Sequence, residues 1–308
     1  MLVRPLEPED IEAVVARVAS SLSSDAARNP LINPVFSHQD FALALAAVRD
    51  QTWVAVDERA VTGHLYGAIL ENAEHGRGAW IGPDGVSFDD AETLVVLYRE
   101  AETAWTARRA LEHYVWVRDD EDVVRPWHEL GFARSQSRGV IELATFDQTS
   151  WPEGYEVRRG DLADLDVALA LDRVLDDAEG RGASFESFGA SQNLHEEWRA
   201  LLTDHDVHHY LVEFAGDVVA QCVTYPLPSQ RGTFEHTLHV SAVVVRPAHE
   251  HRGVARALLG TALNDARDVG FRYAETSWRV TNGRAADFWR RYGFRPTYVR
   301  LRRTVDVD

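Results

Sequence analysis

The chain has 308 residues, of which 32 are Lys or Arg and 49 are Asp or Glu, so its formal net charge is −17. This length suffices for two domains of about 150 residues each, while the negative charge disfavours nucleic acid and anionic membranes as partners. The single cysteine, Cys222, excludes an intramolecular disulfide and favours a reducing compartment. Because the N-terminus lacks a signal-peptide core and no apolar run reaches the ~20 residues that span a bilayer, a cytoplasmic protein is expected.

The first half of the chain alternates predicted strands and helices. Apolar spacing and turn residues predict a strand at 2–4, helices at 11–18 and 39–48, a hairpin over 52–69 and an interrupted strand at 78–88. A long helix from Asp89 follows, and then a strand, a helix and further strands between 114 and 143. The polar stretch from Ser20 to Ser37 is predicted to be a loop.

A linker is predicted at 146–154, which is polar and contains Pro152 and Gly154. After it, three short patterns recur in the same order at a spacing of about 155 to 160 residues. The recurring pairs are Val3-Arg4 with Val157-Arg158, Trp53–Val61 with Tyr210–Val218, and Trp127–Phe132 with Trp289–Phe294. Duplication of a domain explains this repeat, and it divides the chain into 1–145 and 155–308. Each half mixes strands and helices, so the fold class is α/β with a mixed α+β sheet.

One stretch of the second half has the pattern of an anion site. The apolar run from Ala242 to Val245 predicts a buried strand, which Pro247 ends. A loop with Gly253 follows, and then a helix from Val254, which Gly270 is expected to terminate. The free N–H groups and the dipole of a helix N-terminus favour a bound anion. Five basic residues crowd the same loop, namely Arg246, His249, His251, Arg252 and Arg256. An ordinary strand–turn–helix with surface arginines would have the same pattern.

This stretch resembles the acetyl-CoA-binding motif of the GNAT acetyltransferase superfamily, Arg/Gln-x-x-Gly-x-Gly/Ala between a strand and a helix. Glu250, Gly253 and Ala255 stand at the matching positions. The sequence departs from the family at Glu250, where Arg or Gln is usual. A carboxylate there would weaken phosphate binding unless it points away and pairs with Arg252 or Arg246. Because the backbone amides are the main contact, cofactor binding is expected to survive.

A second segment is similar to the family's Asn-x-x-Ala…Tyr…Gly-Phe pattern. It runs from Asn282-x-x-Ala285 to Trp289 and Gly293-Phe294. Trp289 stands where many members have tyrosine, and an indole is too weak an acid to protonate a thiolate, so packing is its expected role. Asn282 either orients the cofactor or caps the last helix.

The resemblance implies two tandem GNAT-like domains and acetyl-CoA as co-substrate, with no metal. The second domain would hold the cofactor, with the pantetheine arm along one strand and the pyrophosphate at the helix start. Carried over to this sequence, the cofactor-binding residues are Val243, Val244, Val245, His251, Arg252, Gly253, Val254, Ala255, Arg256, Asn282 and Trp289.

The catalytic base is predicted from the family's usual strand position, eleven residues before Glu250, which is His239 here. An imidazole with a pKa near 6.5 suits proton transfer at neutral pH, and on a regular strand His239, Ser241 and Val243 would share a face. His239 is alternatively a strand histidine without a catalytic role. Glu235 and His236 are rival bases, acting directly or through a water.

The first half lacks the features of a phosphate site. Its junction from Gly85 to Asp90 has no arginine and no glycine at the helix start. Asp89 and Asp90 would repel a phosphate there, and capping the helix is their expected role. The hypothesis is that this half has lost cofactor binding and supports or covers the acceptor site.

The expected function is an N-acetyltransferase that moves the acetyl group of acetyl-CoA to a primary amine of a small, cationic acceptor by direct attack in a ternary complex. The alternative is a non-catalytic acyl-CoA-binding or interaction protein with a degenerate GNAT fold. The expected partner is the amine, without nucleic acid or membrane, and a homodimer is permitted. Cys222 is expected to pack in the core. Candidate acceptor contacts, which equally suit a solvated surface, are Asp176, Asp177, Glu179 and Glu186.

Overall fold

A computed structural model of the protein describes residues 1–58, 60–72, 76–146, 150–180, 193–228 and 230–306. The described elements of the first sequence half are β1 (Leu2–Pro5), α1 (Ile11–Arg28), α2 (His38–Ala47), β2 (Thr52–Asp57), β3 (Ala60–Tyr66), β4 (Ala68–Asn72), β5 (Gly76–Ile81), β6 (Val86–Phe88), α3 (Ala91–Ala107), β7 (Glu112–Arg118), α4 (Glu121–Glu129) and β8 (Ala133–Glu142). Those of the second half are β9 (Tyr155–Arg159), α5 (Leu165–Gly180), α6 (Leu194–Thr203), β10 (His208–Phe214), β11 (Asp217–Pro226), β12 (Thr237–Val245), α7 (Val254–Asp268), β13 (Tyr273–Arg279), α8 (Gly283–Arg291) and β14 (Arg295–Thr304).

The chain packs as two compact units, and two of the boundaries between them lie inside the strands β8 and β14. Unit 1 comprises Met1–Ser137, Gln230–Thr233 and Thr297–Asp308, and unit 2 comprises Arg138–Ser229 and Phe234–Pro296. Most of β14, the last strand of the second sequence half, therefore belongs to unit 1. The second part of β8, the last strand of the first half, belongs to unit 2. The predicted division into 1–145 and 155–308 describes the sequence repeat and stays a prediction, whereas packing exchanges the final strands.

Unit 1 contains two runs of paired strands. β1, β2, β3 and β6 lie side by side and pair antiparallel, and β4, β5, β7 and β14 form a second run in that order. Within the second run only β5 and β7 pair in parallel. Gly67 separates β3 from β4, and a Cβ atom there would lie 2.5 Å from Cζ2 of buried Trp105. The predicted interrupted strand at 78–88 is confirmed as β5 and β6.

Helix α1 extends through residues that were predicted to be a loop. It continues to Arg28 because Val14, Val18 and Leu22 keep one buried face, although serines follow. Burial of that apolar face outweighs the low helix propensity of serine. The predicted loop over residues 20–28 was therefore wrong.

Unit 2 is built on five consecutively paired strands in the order β13, β12, β11, β10 and β9, with β8 next to β13. Helix α7 covers one face, where its side chains at the predicted helical spacing are all buried, namely Val254, Leu258, Ala262 and Ala266. Helices α5 and α6 contribute Leu171 and Trp198 to core clusters with residues of β10, β11 and β12. Cys222 of β11 is fully buried in the same cluster as these α7 side chains, which we call the α7-side core. The burial raises the pKa of its thiol to about 12, as expected for a cysteine that packs in the core.

Strands β12 and β13 separate soon after they meet. Their parallel pairing has only three registered pairs, which end at His239↔Glu275. Beyond this point the described part of β12 pairs with β11 alone, and Thr276 Oγ1 donates to Val240 O at 2.9 Å. We call the place where His239 and Glu275 end the pairing the fork. Past the fork, one backbone edge of β12 is open toward β13.

Equivalent contacts recur in the two sequence halves and confirm the internal repeat. Arg4 donates to Asp10 at 2.6 Å, and Arg158 donates to Asp164 at 2.8 Å. Pairs β2–β3 and β10–β11 each contain a register shift at the corresponding place. In both halves a tryptophan packs edge-on against the Phe of the Gly-Phe pair with ring centroids 5.0 Å apart.

Candidate active site

The helix start predicted to bind an anion is formed around Gly253. Gly253 is the N-cap of α7 at φ 86°, a left-handed conformation that favours glycine. A Cβ atom there would have Pro152 Cγ as its nearest neighbour, at 3.7 Å, so the backbone is open on that side. The N–H of Ala257 bonds to Gly253 O at 3.0 Å. The amides of the preceding residues, Val254, Ala255 and Arg256, therefore have no helical acceptor and can bind an anion.

Basic side chains beside this helix start are available for a phosphate. Arg252 is exposed and has no ion-pair or hydrogen-bond partner in the described part of the chain. The Arg256 guanidinium lies 5.6 Å from the centroid of the Tyr292 ring. Arg246 is used elsewhere, because its Nε donates to Val218 O at 2.9 Å. This arrangement of amides without helical acceptors, a glycine without a side chain and two nearby guanidinium groups can bind an anion such as a phosphate.

Glu250 pairs with a residue that the sequence did not indicate. Its carboxylate accepts a hydrogen bond from Arg284 at 2.5 Å, in the first turn of α8. The partner of Glu250 is thus Arg284 and not Arg252 or Arg246, because α8 begins beside the loop. Arg284 compensates the carboxylate's charge, and Arg252 keeps its own charge free.

His239 lies at the fork and is a weaker base than predicted. Its neighbours Leu238 and Val240 belong to the α7-side core, so the imidazole points to the opposite face, where its ring centroid is 4.9 Å from that of Tyr225. Nδ1 is buried without a hydrogen-bond partner among the described residues. Burial, and secondarily the charge of Arg138, lowers the pKa of His239 to about 4. The imidazole is therefore neutral at pH 7, and the expected pKa near 6.5 was wrong.

A β-bulge changes which residues share a face on β12. The register with β11 shifts so that Val223 faces Ala242 and Thr224 faces Val240, which leaves Ser241 unmatched. Val243 consequently packs toward the α7-side core, on the face opposite His239. The predicted shared face of His239, Ser241 and Val243 was wrong. The three candidate pantetheine residues, Val243, Val244 and Val245, lie along the part of β12 past the fork.

Glu235, the rival base, is not brought to His239 by any contact in the structure. It is exposed in the turn before β12 and has no hydrogen bond or ion pair to the described residues. His236 beside it is also exposed and has φ 54°.

Asn282 and Trp289 have structural contacts. Asn282 Oδ1 accepts a hydrogen bond from Ala285 N at 3.0 Å, so it caps α8, one of its two predicted roles. Trp289 is 6% exposed and packs against Phe288 and Phe294 with centroid distances of 5.0 Å. Its predicted packing is confirmed, and little of its surface is left for a ligand.

The sequence pattern did not indicate three residues of the site, namely Tyr225, Glu275 and Arg138. Glu275 is 4% exposed, it lies opposite His239, and Arg138 Nε is 3.4 Å from its Oε1. A glutamate inside a strand that is otherwise mostly buried was the available signal. Which residue it faces depends on strand register, which local patterns do not encode.

In unit 1 the equivalent helix start is occupied by carboxylates, as expected. Asp90 caps α3 by accepting from Thr93 N at 2.8 Å, and Asp89 pairs with Arg17 at 2.7 Å. In unit 2 the candidate acceptor contacts Asp176 and Asp177 are exposed near the end of α5. Glu186 and the side chain of Glu179 lie outside the described residues.

Comparison with known proteins gives a family-model match over the part of the chain that contains this site. Residues 172–294 match the model of the family described as Acetyltransferase (GNAT) family, a stretch that contains both the Gly253 loop and the Asn282 segment. No curated protein matches the sequence significantly. Within the described residues, no helix has both the length and the apolar character needed to cross a membrane.

Solved structures resemble the whole chain. A GCN5-related N-acetyltransferase from Sphaerobacter thermophilus has 17% identity and a TM-score of 0.67, with 99% of this chain and 96% of that chain covered. A tandem GNAT protein from the clavulanic acid biosynthesis pathway has 14% identity and a TM-score of 0.58, with coverages of 100% and 99%. At these identities the likeness concerns the fold. The chain therefore has a tandem GNAT fold of mixed α/β class, and its resemblance to the GNAT superfamily is confirmed.

Proposed function

We propose that the protein is an acetyl-CoA-dependent N-acetyltransferase that acetylates a primary amine of a small acceptor, with the cofactor bound in unit 2. One observation carries this proposal: the open edge of β12 leads to a helix start where Gly253 has no side chain and Arg252 has no ion-pair or hydrogen-bond partner among the described residues. A thioester with an anionic nucleotide tail would match both the open strand edge and the helix start. The net charge of −17 favours a cationic acceptor.

The backbone of unit 2 would hold the two ends of the cofactor. The amides of Val254, Ala255 and Arg256 would bind the pyrophosphate, together with the guanidinium groups of Arg252 and Arg256. The pantetheine arm would extend β12 by pairing with the open edge at Val243, Val244 and Val245. An N–H of this edge aimed at the thioester oxygen would stabilise the negative charge that develops during attack.

Acetyl transfer then requires one new bond, one broken bond and one released proton. The amine nitrogen attacks the carbonyl carbon, the carbon–sulfur bond breaks, and coenzyme A leaves. Holding amine and thioester together supplies much of the rate enhancement. His239 would accept the proton from the nitrogen, directly or through a water, with exposed Glu235 as the rival base.

Calorimetric titration with acetyl-CoA tests the cofactor site. We expect one site per chain, because the helix start of unit 1 that is equivalent to that of α7 is capped by the Asp90 carboxylate. Gly253→Asp should weaken binding at least about tenfold through repulsion of the phosphates. Gly253→Asn is the matched control, because asparagine has the same shape, tolerates positive φ and adds no charge. Two sites per chain, no binding to the wild type, or equal affinities of the two variants would contradict the proposal.

A non-catalytic acyl-CoA-binding protein is the second candidate. Two observations favour it: Trp289 is a buried packing residue, and the pKa of His239 is lowered to about 4 by burial. Thiol release from acetyl-CoA, measured with a panel of primary amines, distinguishes the two candidates. Tight binding without turnover on any amine would support the non-catalytic function.

A further inference from the structure

Four polar side chains form a row across unit 2 at the fork. Tyr225 on β11 faces His239 on β12, and His239 faces Glu275 on β13. On the far side of Glu275, Arg138 of β8 places its Nε 3.4 Å from Glu275 Oε1. The side chain of Glu275 is 5% exposed and that of Arg138 is 11% exposed, so the ion pair is buried.

Unit 1 has a row at the same place with different chemistry. Trp80↔Tyr114 is the third pair of β5–β7, as His239↔Glu275 is the third pair of β12–β13. The Trp80 and Tyr114 rings are stacked with centroids 4.0 Å apart, and the Arg300 guanidinium lies 5.3 Å from the centroid of Tyr114. The fold therefore accepts aromatic rings at these positions, and it does not by itself require a buried glutamate opposite His239.

The arginine of each row occupies the same sequence position in its half. Arg138 follows Phe132 by six residues, and Arg300 follows Phe294 by six residues. The two rows thus differ in the pair that precedes the arginine. This pair is His239 and Glu275 in unit 2, and it is Trp80 and Tyr114 in unit 1. The two units differ in the same way at their helix starts. The start of α7 in unit 2 is open at Gly253, whereas Asp90 caps the start of α3 in unit 1.

Strand register places the carboxylate of Glu275 opposite His239. Burying a carboxylate is costly unless it is paired, and Arg138 supplies the pairing. Helices α5 and α6 pack apolar side chains around Tyr225, including Leu165 and Trp198. The charged and titratable groups that the row places around the imidazole are therefore Glu275 from β13, Arg138 from β8 and the Tyr225 phenol from β11.

We propose that Glu275 is a positioning residue for acetyl transfer, which stabilises the imidazolium formed when His239 takes the proton from the acceptor nitrogen. Arg138 holds the Glu275 carboxylate in place, and burial together with the charge of Arg138 keeps His239 neutral between turnovers. The proton leaves the nitrogen as the carbon–nitrogen bond forms, and His239 releases it to solvent after the carbon–sulfur bond has broken. This inference rests on the proposed function.

Nuclear magnetic resonance of the His239 imidazole tests the coupling without any acceptor. Titration of 15N-labelled protein, with His239→Gln to assign the signal, should give the pKa of His239 in the wild type and in isosteric Glu275→Gln. Loss of the carboxylate leaves Arg138 uncompensated and should lower the pKa of His239 further. Arg138→Gln should raise it toward the ordinary value. An unchanged pKa of His239 in Glu275→Gln would overturn the inference.

Kinetics with the best amine of the panel give the second readout. Glu275→Gln should lower kcat about 10- to 100-fold with unchanged calorimetric affinity for acetyl-CoA. Glu275→Asp, which keeps a carboxylate, should retain a higher kcat than Glu275→Gln. Tyr114→Phe, at the matching position of unit 1, is the control and should keep the wild-type kcat. Wild-type turnover in Glu275→Gln would refute the inference and leave the proposed function intact, whereas failure of the wild type to bind acetyl-CoA would refute the proposed function and, with it, the inference.

Discussion

Buried histidines of unit 1 are kept neutral by their surroundings. His64 Nδ1 lies 2.7 Å from Ser87 Oγ, and His113 Nδ1 lies 2.7 Å from Tyr98 Oη, both at positions without solvent exposure. Burial lowers the pKa of His64 and of His113 to about 4 in each case. In the unfolded chain both would titrate near the ordinary pKa of 6.5.

These histidines should make the folded state acid-sensitive. Between pH 6.5 and pH 4 the unfolded chain binds more protons than the folded one, so stability falls as pH falls through this range. Each histidine should contribute about 2 kcal/mol of lost stability between pH 7 and pH 5. Urea unfolding at both pH values measures this, and His113→Gln should show a smaller loss than the wild type. A free energy of unfolding that is constant from pH 7 to pH 5 would contradict the assigned charge states.

At the scale of elements, the helix starts show which features the two halves share. Helices α4 and α8 are both capped by a side chain: Asp120 Oδ1 accepts from Asp122 N at 3.0 Å, and Asn282 Oδ1 accepts from Ala285 N at 3.0 Å. Helices α3 and α7 differ, because Asp90 fills the first with a carboxylate and Gly253 leaves the second open. The shared caps stabilise the helix ends, whereas the start of α7 has no side-chain cap.

Removing the two shared caps separates stability from cofactor binding. Asn282→Ala and Asp120→Ala should each lower the free energy of unfolding by about 1 kcal/mol, because each leaves a helix amide without its acceptor. Both variants should bind acetyl-CoA close to wild type, since the Asn282 oxygen is already used by Ala285. Chemical denaturation and calorimetry measure the two quantities. Weak cofactor binding in Asn282→Ala alone would instead give Asn282 a role in the site.

Local patterns predicted the parts of this fold that depend on neighbours in sequence. The α7 helix, the bare start at Gly253 and the interrupted strand at 78–88 follow from apolar spacing and from glycine and proline. The bulge at Ser241, the fork and the partner of Glu250 depend on pairing between distant segments. A one-residue shift in register reverses the faces of a strand, so the face of Val243 could not be read from alternation. The lowered pKa of His239 likewise depends on burial by several strands.

At the scale of the whole molecule, each unit is completed by the last strand of the other sequence half. Unit 1 contains residues 297–304 of β14, which pair with β7 from Tyr298↔Arg118 to Thr304↔Glu112. Unit 2 contains residues 138–142 of β8, which lies next to β13. Neither sequence half therefore contains a complete unit.

The halves should consequently fold only when both are present. A fragment of residues 155–308 lacks the strand beside β13 and the Arg138 partner of Glu275, so its expression alone should give insoluble or unfolded protein. Fragments 1–148 and 149–308, expressed together, should copurify in equal amounts, and the pair should bind acetyl-CoA. Size-exclusion chromatography and circular dichroism measure both outcomes. Cooperative unfolding of 155–308 alone would contradict the importance of the exchanged strand.

The strand exchange also constrains how this gene can change. Arg138 and the adjoining part of β8 are encoded before the predicted linker, although they belong to the unit with the open helix start. A deletion of the first copy would therefore remove a strand and a charged partner from the second. Individual residues of the first copy can change without this loss, but the second copy needs the strand that the first copy supplies. Both copies of the duplicated domain must therefore be retained together.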